Sequence, residues 1–377
     1  MKINDKLLWV SRIFIGIVFI FSGFVKAVDP MGTQIKITDY FIAFNAEFLI
    51  PFSMVGAFIL CSYELPLGVA ILFGSRSKLM SKLLLILMIP FTLLTLYLAI
   101  ENPVSDCGCF GDAIILTNWQ TFYKNIIIMV FAVFIYLGRE KIKTLFEFPG
   151  QWSTIILSTL FTLAIGFYSI ANLPIMDFRP YKVGNNIQKL MTIPDDKQGD
   201  IYETTLVYKN KQNGKEKDFS TDNIPSDGNW QWVETKNVLV KKGYTPPIHD
   251  FKINDEDGND LTEEFLNQRG YRLLIVYTKI EKANTDAQQK LNELVADLNE
   301  ENEVKVWALT SSLTKEIDKY SEKYDVKYPI NNADLVTLET IIRSNPGLVL
   351  FKENTVVKKW PARRIPDIKE LNSLLYK

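Results

Sequence analysis

"TLYLAIENPVSDCGCFGDAIILTNW", residues 95–119, contains the change of environment on which the fold turns. It begins in the tail of an apolar run at 79–100. It then crosses a loop at 101–118 that has Glu101, Asp106 and Asp112 but no lysine or arginine, and enters a second apolar run at 119–137. A bilayer-spanning helix needs roughly 20 mostly apolar residues, and both flanking runs supply them. Further runs of this kind lie at 7–25, 48–73 and 152–173, and none follows Pro174. Lys2 and Lys6 before the first run imitate a signal peptide. No small-residue cleavage site follows and four more runs do, so all five read as spans with a soluble carboxyl half.

Composition agrees. With 47% hydrophobic side chains over 377 residues, the chain is too large and too apolar for one ordinary soluble domain. A net charge of −1 without a basic stripe gives no support to nucleic acid as a partner and leaves the lipid bilayer as the first one expected.

Lysine and arginine bias in the short loops sets the orientation. Lys2, Lys6 and Arg12 mark the amino end, Arg76, Lys78 and Lys82 the loop at 74–82, and Arg139, Lys141 and Lys143 the loop at 138–151. These are expected to be cytoplasmic. The cysteine-bearing loop then lies outside, and an odd number of spans exports the carboxyl half too. The loop at 26–47, with Lys26 and Lys36 against Asp29, Asp39 and Glu47, is the weakest vote. The expected location is a bacterial cytoplasmic (inner) membrane, with the carboxyl half periplasmic. Cys107 and Cys109 therefore face an oxidising compartment, where a disulfide persists. Cys61, inside the second span, lies more than about 15 Å below that surface at 1.5 Å per residue.

In the exported half, "YETTLVYKNKQNGKEKDF" (202–219) carries two strand-like runs around Asn213-Gly214, a hairpin signal. "NWQWVETKNVLV" continues with strand-forming residues. From Pro246 the pattern alternates: "IHDFKI" as a strand, Asp260 with Glu263 as a capping box for a short helix, "YRLLIVY" and "VKVWAL" as buried strands. A helix at about 285–300 puts Leu291, Leu294, Val295 and Leu298 on one face, and helices follow at about 314–324 and 334–343. "GLVLF", "TVVKKW" and a helix from about Pro366 close the chain. Residues 246–377 resemble thioredoxin-like proteins of the peroxiredoxin and TlpA kind, best in "SNPGLVLF", where Pro346 matches the family's cis-proline beside the active site. The departure is that "TKIEKANTDA" stands where such domains place Cys-x-x-Cys, and no cysteine follows Cys109. Without dithiol chemistry of its own, the domain reads as a docking or client-binding module, against the alternative of a structural relic.

The membrane half carries "FSGFVKAVDP" at 21–30 and "CSYELPLGVAILFG" at 61–74, and in this it resembles the DoxX superfamily of four-helix membrane proteins. "CGCFGD" before the fourth span looks like MauE, the DoxX-related protein of methylamine utilisation. That resemblance implies support for the oxidative maturation or export of a disulfide-rich periplasmic protein beside a thioredoxin-like partner. The expected layout is a MauE/DoxX-like α-helical bundle at 1–140, a fifth span within 141–179, a β-rich connector at 180–245 and an α/β thioredoxin-like domain at 246–377.

Three chemistries compete for Cys107 and Cys109: a redox pair, a structural disulfide, and capture of a soft metal ion. Gly108 supplies the bend a one-residue disulfide ring requires, and strain in such a ring raises its reduction potential. Asp106 and Asp112 disfavour a thiolate, while Lys124, one turn into the fourth span, is a source of compensating charge or a lysine snorkelling to the interface. Two thiolates suit Cu(I), but no second cysteine pair or histidine cluster completes a metal site, and the sole histidine, His249, reads as incidental. A carboxylate inside a span marks function or a buried pair, and Glu64, counted from the span ends, is expected to pair with Arg12. The reading is a membrane protein that supports thiol–disulfide chemistry of exported clients through Cys107 and Cys109, with a membrane quinone as electron acceptor. The rival is a non-catalytic membrane anchor or assembly factor stapled by an inert disulfide.

Overall fold

The computed structural model describes residues 4–225, 228–301 and 304–375; Lys2, counted above among the cytoplasmic charges, lies outside them. Among the described residues five helices are long and apolar enough to cross a membrane, as expected. They are α1 (Asp5–Val28), α3 (Ser53–Phe73, entered through a 3-10 turn at Glu47–Phe52), α4 (Ser77–Glu101), α5 (Asn118–Gly138) and α6 (Phe148–Ala171). Local chemistry sets their ends. Asn4 accepts from the Lys6 amide at the start of α1, Thr117 and Gln120 close a capping box at the start of α5, and Gly74 ends α3 at φ 73°.

Between α1 and α3, where a loop was expected, residues Pro30–Ala43 form α2. Its signal was present: Asp29 accepts from the Gly32 amide as N-cap, with Pro30 in the first turn. Helix α2 packs on α3.

The antiparallel pair α1 and α3 forms the centre of the bundle, and small residues fix its register. A Cβ on Gly23 would fall 2.4 Å from the Leu65 amide nitrogen, and one on Gly68 would fall 2.7 Å from that of Ile20. Such close backbone approach is how spans associate without a hydrophobic driving force. Ile15, Phe19, Leu67 and Ile71 pack in the same core with Leu84 and Met88 of α4 and Ile128 and Ile135 of α5.

After α6 come a short helix α7 (Ile187–Met191) and a three-stranded antiparallel sheet of order β2-β1-β3, from β1 (Ile201–Asn210), β2 (Glu216–Ser220) and β3 (Trp230–Lys241). The hairpin expected at Asn213-Gly214 joins β1 to β2. The rest is α8 (Thr262–Asn267), β4 (Tyr271–Tyr277), α9 (Asp286–Glu301), β5 (Val304–Thr310), α10 (Thr314–Tyr324), β6 (Ile330–Asn332), α11 (Leu335–Ile341), β7 (Gly347–Lys352), β8 (Thr355–Pro361) and α12 (Ile368–Leu375). The five strands run in the order β6-β5-β4-β7-β8; β4, β5 and β6 are parallel, and β7 and β8 are antiparallel to their neighbours. A βαβ half joined to a ββα half in this order is a thioredoxin-like fold. The alternation of β4 feeds two cores: Leu274 and Val276 meet Phe265, Ile341 and Phe351, whereas Leu273, Ile275 and Tyr277 meet Leu291, Leu294 and Leu371. The Asn345-Pro346 bond is cis, as the resemblance implied.

Three details differ from the sequence reading. "IHDFKI" is not a strand; Ile248, Phe251 and Ile253 are buried in the core, and the nearest strand-like pairing is two isolated bridges from Asn254, to Asp260 and Asn332. Asp260 accepts from the Thr262 amide instead of forming a capping box with Glu263. Tyr181 and Ile187 belong to the same core as Phe251 and Phe265, and the Ile187 amide donates to the Asn354 carbonyl. The thioredoxin-like unit thus includes residues assigned to the connector, and the small sheet is an excursion from it.

Candidate functional site

The site lies at the end of the bundle that carries the 102–117 loop. In the last turns of α1, Ser22 and Lys26 stand four residues apart, so both face α3. The ammonium of Lys26 donates to Glu64 Oε2 at 2.7 Å, Ser22 Oγ at 2.7 Å and the Cys109 carbonyl at 2.6 Å. Its three protons therefore have three acceptors, as burial demands: Lys26 is 4% and Glu64 6% exposed. Ser22 Oγ lies 2.8 Å from Glu64 and 2.7 Å from the same Cys109 carbonyl. The cysteine loop is thus pinned to a buried ion pair inside the bundle.

This corrects the expected Glu64–Arg12 pair. Arg12 instead donates to the Ile71 and Leu72 carbonyls at the end of α3, where a cation complements the helix terminus. Counting depth from span ends assumes that the spans start level. The glycine contacts set Leu65 beside Gly23, which brings Glu64 to Lys26.

In the loop, Gly108 adopts φ 65°, and its amide donates to Asp106. Tyr40 of α2 donates to the Cys107 carbonyl at 2.7 Å. The sulfurs of Cys107 and Cys109 are 2.8 Å apart; Cys107 is buried and Cys109 half-buried. Both acidic neighbours that argued against a thiolate are occupied, Asp106 with Lys36 at 2.7 Å and Asp112 with Arg343 at 3.3 Å. Lys124 holds its ammonium 4.5 Å from the centroid of the Phe110 ring. Donation from the Cys107 thiol holds Cys109 below the ordinary thiol range, and the charges of Lys124 and Lys26 act the same way against burial. Cys107 is pushed above that range by the same bond and by burial. One sulfur is thus poised as a thiolate beside a protonated partner, the condition for reactivity.

Two cavities meet at this loop. The first, about 350 Å³, lies among the spans; Cys107, Cys109, Lys124, Glu64, Phe91 and Ile59 are on its wall. Ile59 is 64% exposed on the lipid-facing side of α3, so the cavity opens toward the bilayer. The second, about 630 Å³, lies between the bundle and the thioredoxin-like domain. Thr33, Lys36 and Gly108 line both, but the two cysteines line only the first.

The thioredoxin-like domain meets the bundle through Arg343, three residues before Pro346. Buried at 6% side-chain exposure, Arg343 reaches Asp29 at 2.9 Å, and Asp112 at 3.3 Å. Pro346 itself is buried. Lys359 and Arg179 both bind Asp177 just after α6. The place of the missing Cys-x-x-Cys is taken by residues that include Glu281, which accepts from Ser312 at 2.6 Å. Among the described residues no group of three or more histidine, cysteine or acidic side chains is placed to hold a metal ion.

Sequence reasoning found Cys107, Cys109, Lys124 and Glu64, which the fold brings together, and misplaced Arg12. It missed Ser22, Tyr40, Lys36 and Arg343 as site residues and, with Lys26 rightly at the outer end of its span, missed that Glu64 reaches it. The glycines at 16, 23 and 68 were the available signal for Ser22 and Lys26, because small-residue spacing sets the register of two spans.

A multi-pass bundle that presents a paired-cysteine loop beneath a cysteine-free thioredoxin-like domain is the class that fold and site define. Residues 4–138 match the family of the methylamine utilisation protein MauE, so the membrane half is similar to that family, and it precedes a domain of thioredoxin-like fold. A domain family of unknown function matches residues 202–242. No curated protein matches the chain. Solved structures similar to it include a thiol-disulfide oxidoreductase from Bacteroides fragilis NCTC 9343, at 15% identity over 33% of this chain and 97% of that one, with a TM-score of 0.28. A thiol peroxidase from Chromobacterium violaceum is 15% identical over 34% of this chain and 83% of that one, with a TM-score of 0.27. A thioredoxin-like protein from Bacteroides caccae ATCC 43185 is 11% identical over 86% and 82%, with a TM-score of 0.25.

Proposed function

We propose that the protein oxidises thiols of exported proteins on the outer side of a bacterial cytoplasmic membrane, with Cys107 and Cys109 as the redox pair. The observation that carries this reading is the pair's setting: two sulfurs 2.8 Å apart, beside Lys124, on the wall of a cavity that opens toward the bilayer. A dithiol in that position exchanges electrons with whatever enters from the lipid. The fitting acceptor is a membrane quinone, whose flat ring and apolar tail suit a cavity of this size and lining. Two electrons and two protons leave the dithiol, the Cys107–Cys109 bond forms, and the quinone becomes quinol. The loop's lack of basic residues against the basic loops at the other end supports the outward orientation. Methylamine enters only through the family's name.

The test is thiol trapping of the intact protein in its own membranes with a mass-tagged alkylating reagent, before and after mild reductant and then after a short-chain quinone. A Cys107–Cys109 bond that opens readily and re-forms faster with quinone is expected, as is loss of function at normal protein level when both cysteines become serine. A bond that never opens, or full function of the double-serine variant, would make the protein a membrane anchor. The anchor reading draws its support from the ion pairs of Arg343 with Asp29 and Asp112, which fasten the two units together.

A further inference from the structure

We propose that the cavity between the bundle and the thioredoxin-like domain receives a cysteine-bearing segment of the exported substrate, and that Arg343 is the catch that opens and closes the loop toward it. The proposal rests on the reading of Cys107 and Cys109 as a redox pair and adds the place where the protein substrate meets it.

Both cysteines line the lipid-side cavity and neither lines the other one, where the loop presents Asp106, Gly108, Gly111 and Asp112. A protein thiol cannot enter a bilayer pocket, so as docked the pair is open to a lipid-soluble acceptor and closed to a protein. The loop is therefore a partition between a space for the acceptor and a space for the substrate. Crossing it requires the loop to turn, and its two glycines at positive φ, Gly108 at 65° and Gly111 at 50°, bracket Cys109 as the residues that permit the turn.

Lys26, Ser22, Tyr40 and Lys36 hold the loop from within the membrane module, and Arg343 holds it from the thioredoxin-like domain. The Arg343 guanidinium joins Asp29, at the corner between α1 and α2, to Asp112, three residues after Cys109. It also donates to the Glu339 carbonyl of α11 at 2.7 Å, so the catch belongs to the thioredoxin-like domain while its keepers belong to the membrane module. Gly32 leaves it room: a Cβ there would fall 2.6 Å from Asp29 Oδ2 and 2.9 Å from Arg343 Nη2.

The chamber fits an unfolded segment. At about 630 Å³ it is the larger of the two cavities and within the range of small-ligand sites. Ile115, Val336 and Met176, 72%, 59% and 47% exposed, also line it. Exposed apolar side chains around a recess mark a binding surface, and a chain awaiting its disulfides exposes apolar residues of its own. In the exchange, a substrate thiolate attacks Cys107 of the oxidised pair. The Cys107–Cys109 bond breaks, a mixed disulfide forms and Cys109 leaves as a thiolate, which Lys124 and Lys26 favour. A second substrate thiolate then attacks the mixed disulfide, releasing the oxidised substrate and the reduced pair for the quinone.

The experiment uses the full chain in sealed membrane vesicles with the loop side outward and the pair reduced. Alkylation of Cys107 and Cys109 by a membrane-impermeant maleimide is timed in the unaltered protein, in Arg343→Gln, in Gly32→Val and in the milder Asp112→Asn. A membrane-permeant maleimide reports on folding and on thiol reactivity in each. The expected result is impermeant labelling about tenfold faster in the variants, the size of an ordinary coupling between two states, with permeant labelling unchanged. Equal impermeant rates in all four proteins would overturn the catch. A Cys109→Ser protein offered a peptide whose cysteine is activated as an aromatic mixed disulfide should capture it on Cys107 faster when Arg343 is also Gln. No capture in either would overturn the chamber as the substrate's place. Quinone-dependent re-formation of the bond is scored separately, so its failure counts against the redox reading and not against the catch.

Discussion

Replacing Lys26 with methionine is expected to cost the folded bundle about 3–5 kcal/mol, because Glu64 is left buried without its charge partner. Lys26 and Glu64 are 4% and 6% exposed, and the ammonium also serves Ser22 and the Cys109 carbonyl. Thermal unfolding in detergent should show the loss directly. The double variant Lys26→Met with Glu64→Leu removes both charges and replaces them with apolar volume, and such replacements are often neutral or stabilising. It should recover most of the stability. It should not restore the loop, because the Cys109 carbonyl then keeps only Ser22 as a donor. A double variant as stable as the unaltered protein but altered in thiol alkylation rate identifies the ion pair as a positioning device for the cysteines. If stability and alkylation are both restored, the pair is only a fastening between α1 and α3.

The same pair shows how far the sequence is legible. The five spans, the hairpin at Asn213-Gly214 and the strands 271–277 and 304–310 were all readable, because each depends on a contiguous pattern of apolar residues or turn formers. Glu64 stood out because a carboxylate inside a span is costly. Its partner did not, since that depends on how two helices slide past each other, and the backbone contact of Gly23 with Leu65 sets that, not the span ends. Helix α2 was hidden by its mixed composition, which suits a surface helix lying between two spans. Arg343 with Asp29 was beyond reach for a different reason: 314 residues separate them, and nothing local to either announces the other. The electrostatic objection to a reactive Cys109 failed likewise, because Asp106 and Asp112 are matched by Lys36 and Arg343 from elsewhere in the chain.

Replacing Lys124 with glutamine is expected to raise the pH at which Cys109 becomes alkylated and to slow its reaction at neutral pH. The sign follows from the charges around the sulfur. Cys109 is held below the ordinary thiol range first by the hydrogen bond from Cys107 and then by Lys124 and Lys26. Removing one cation moves the midpoint up, toward the ordinary thiol range, and each pH unit of upward movement above the assay pH lowers the thiolate fraction about tenfold. The effect should vanish at alkaline pH, where the thiol ionises without help, and that convergence separates a charge effect from a misfolded loop, which would stay slow or fast at every pH. Lys124→Arg keeps the charge and should keep most of the low midpoint. The alternative reading of Lys124 as a lysine anchored at the interface predicts the opposite pattern: an alkylation profile that does not move in Lys124→Gln, with any loss confined to bundle stability. A rate–pH profile of the three proteins, measured on the reduced pair with a permeant maleimide, decides between them. An upward midpoint in Gln and not in Arg places Lys124 in the chemistry of the pair, and through it gives Cys109 the role of the sulfur that leaves.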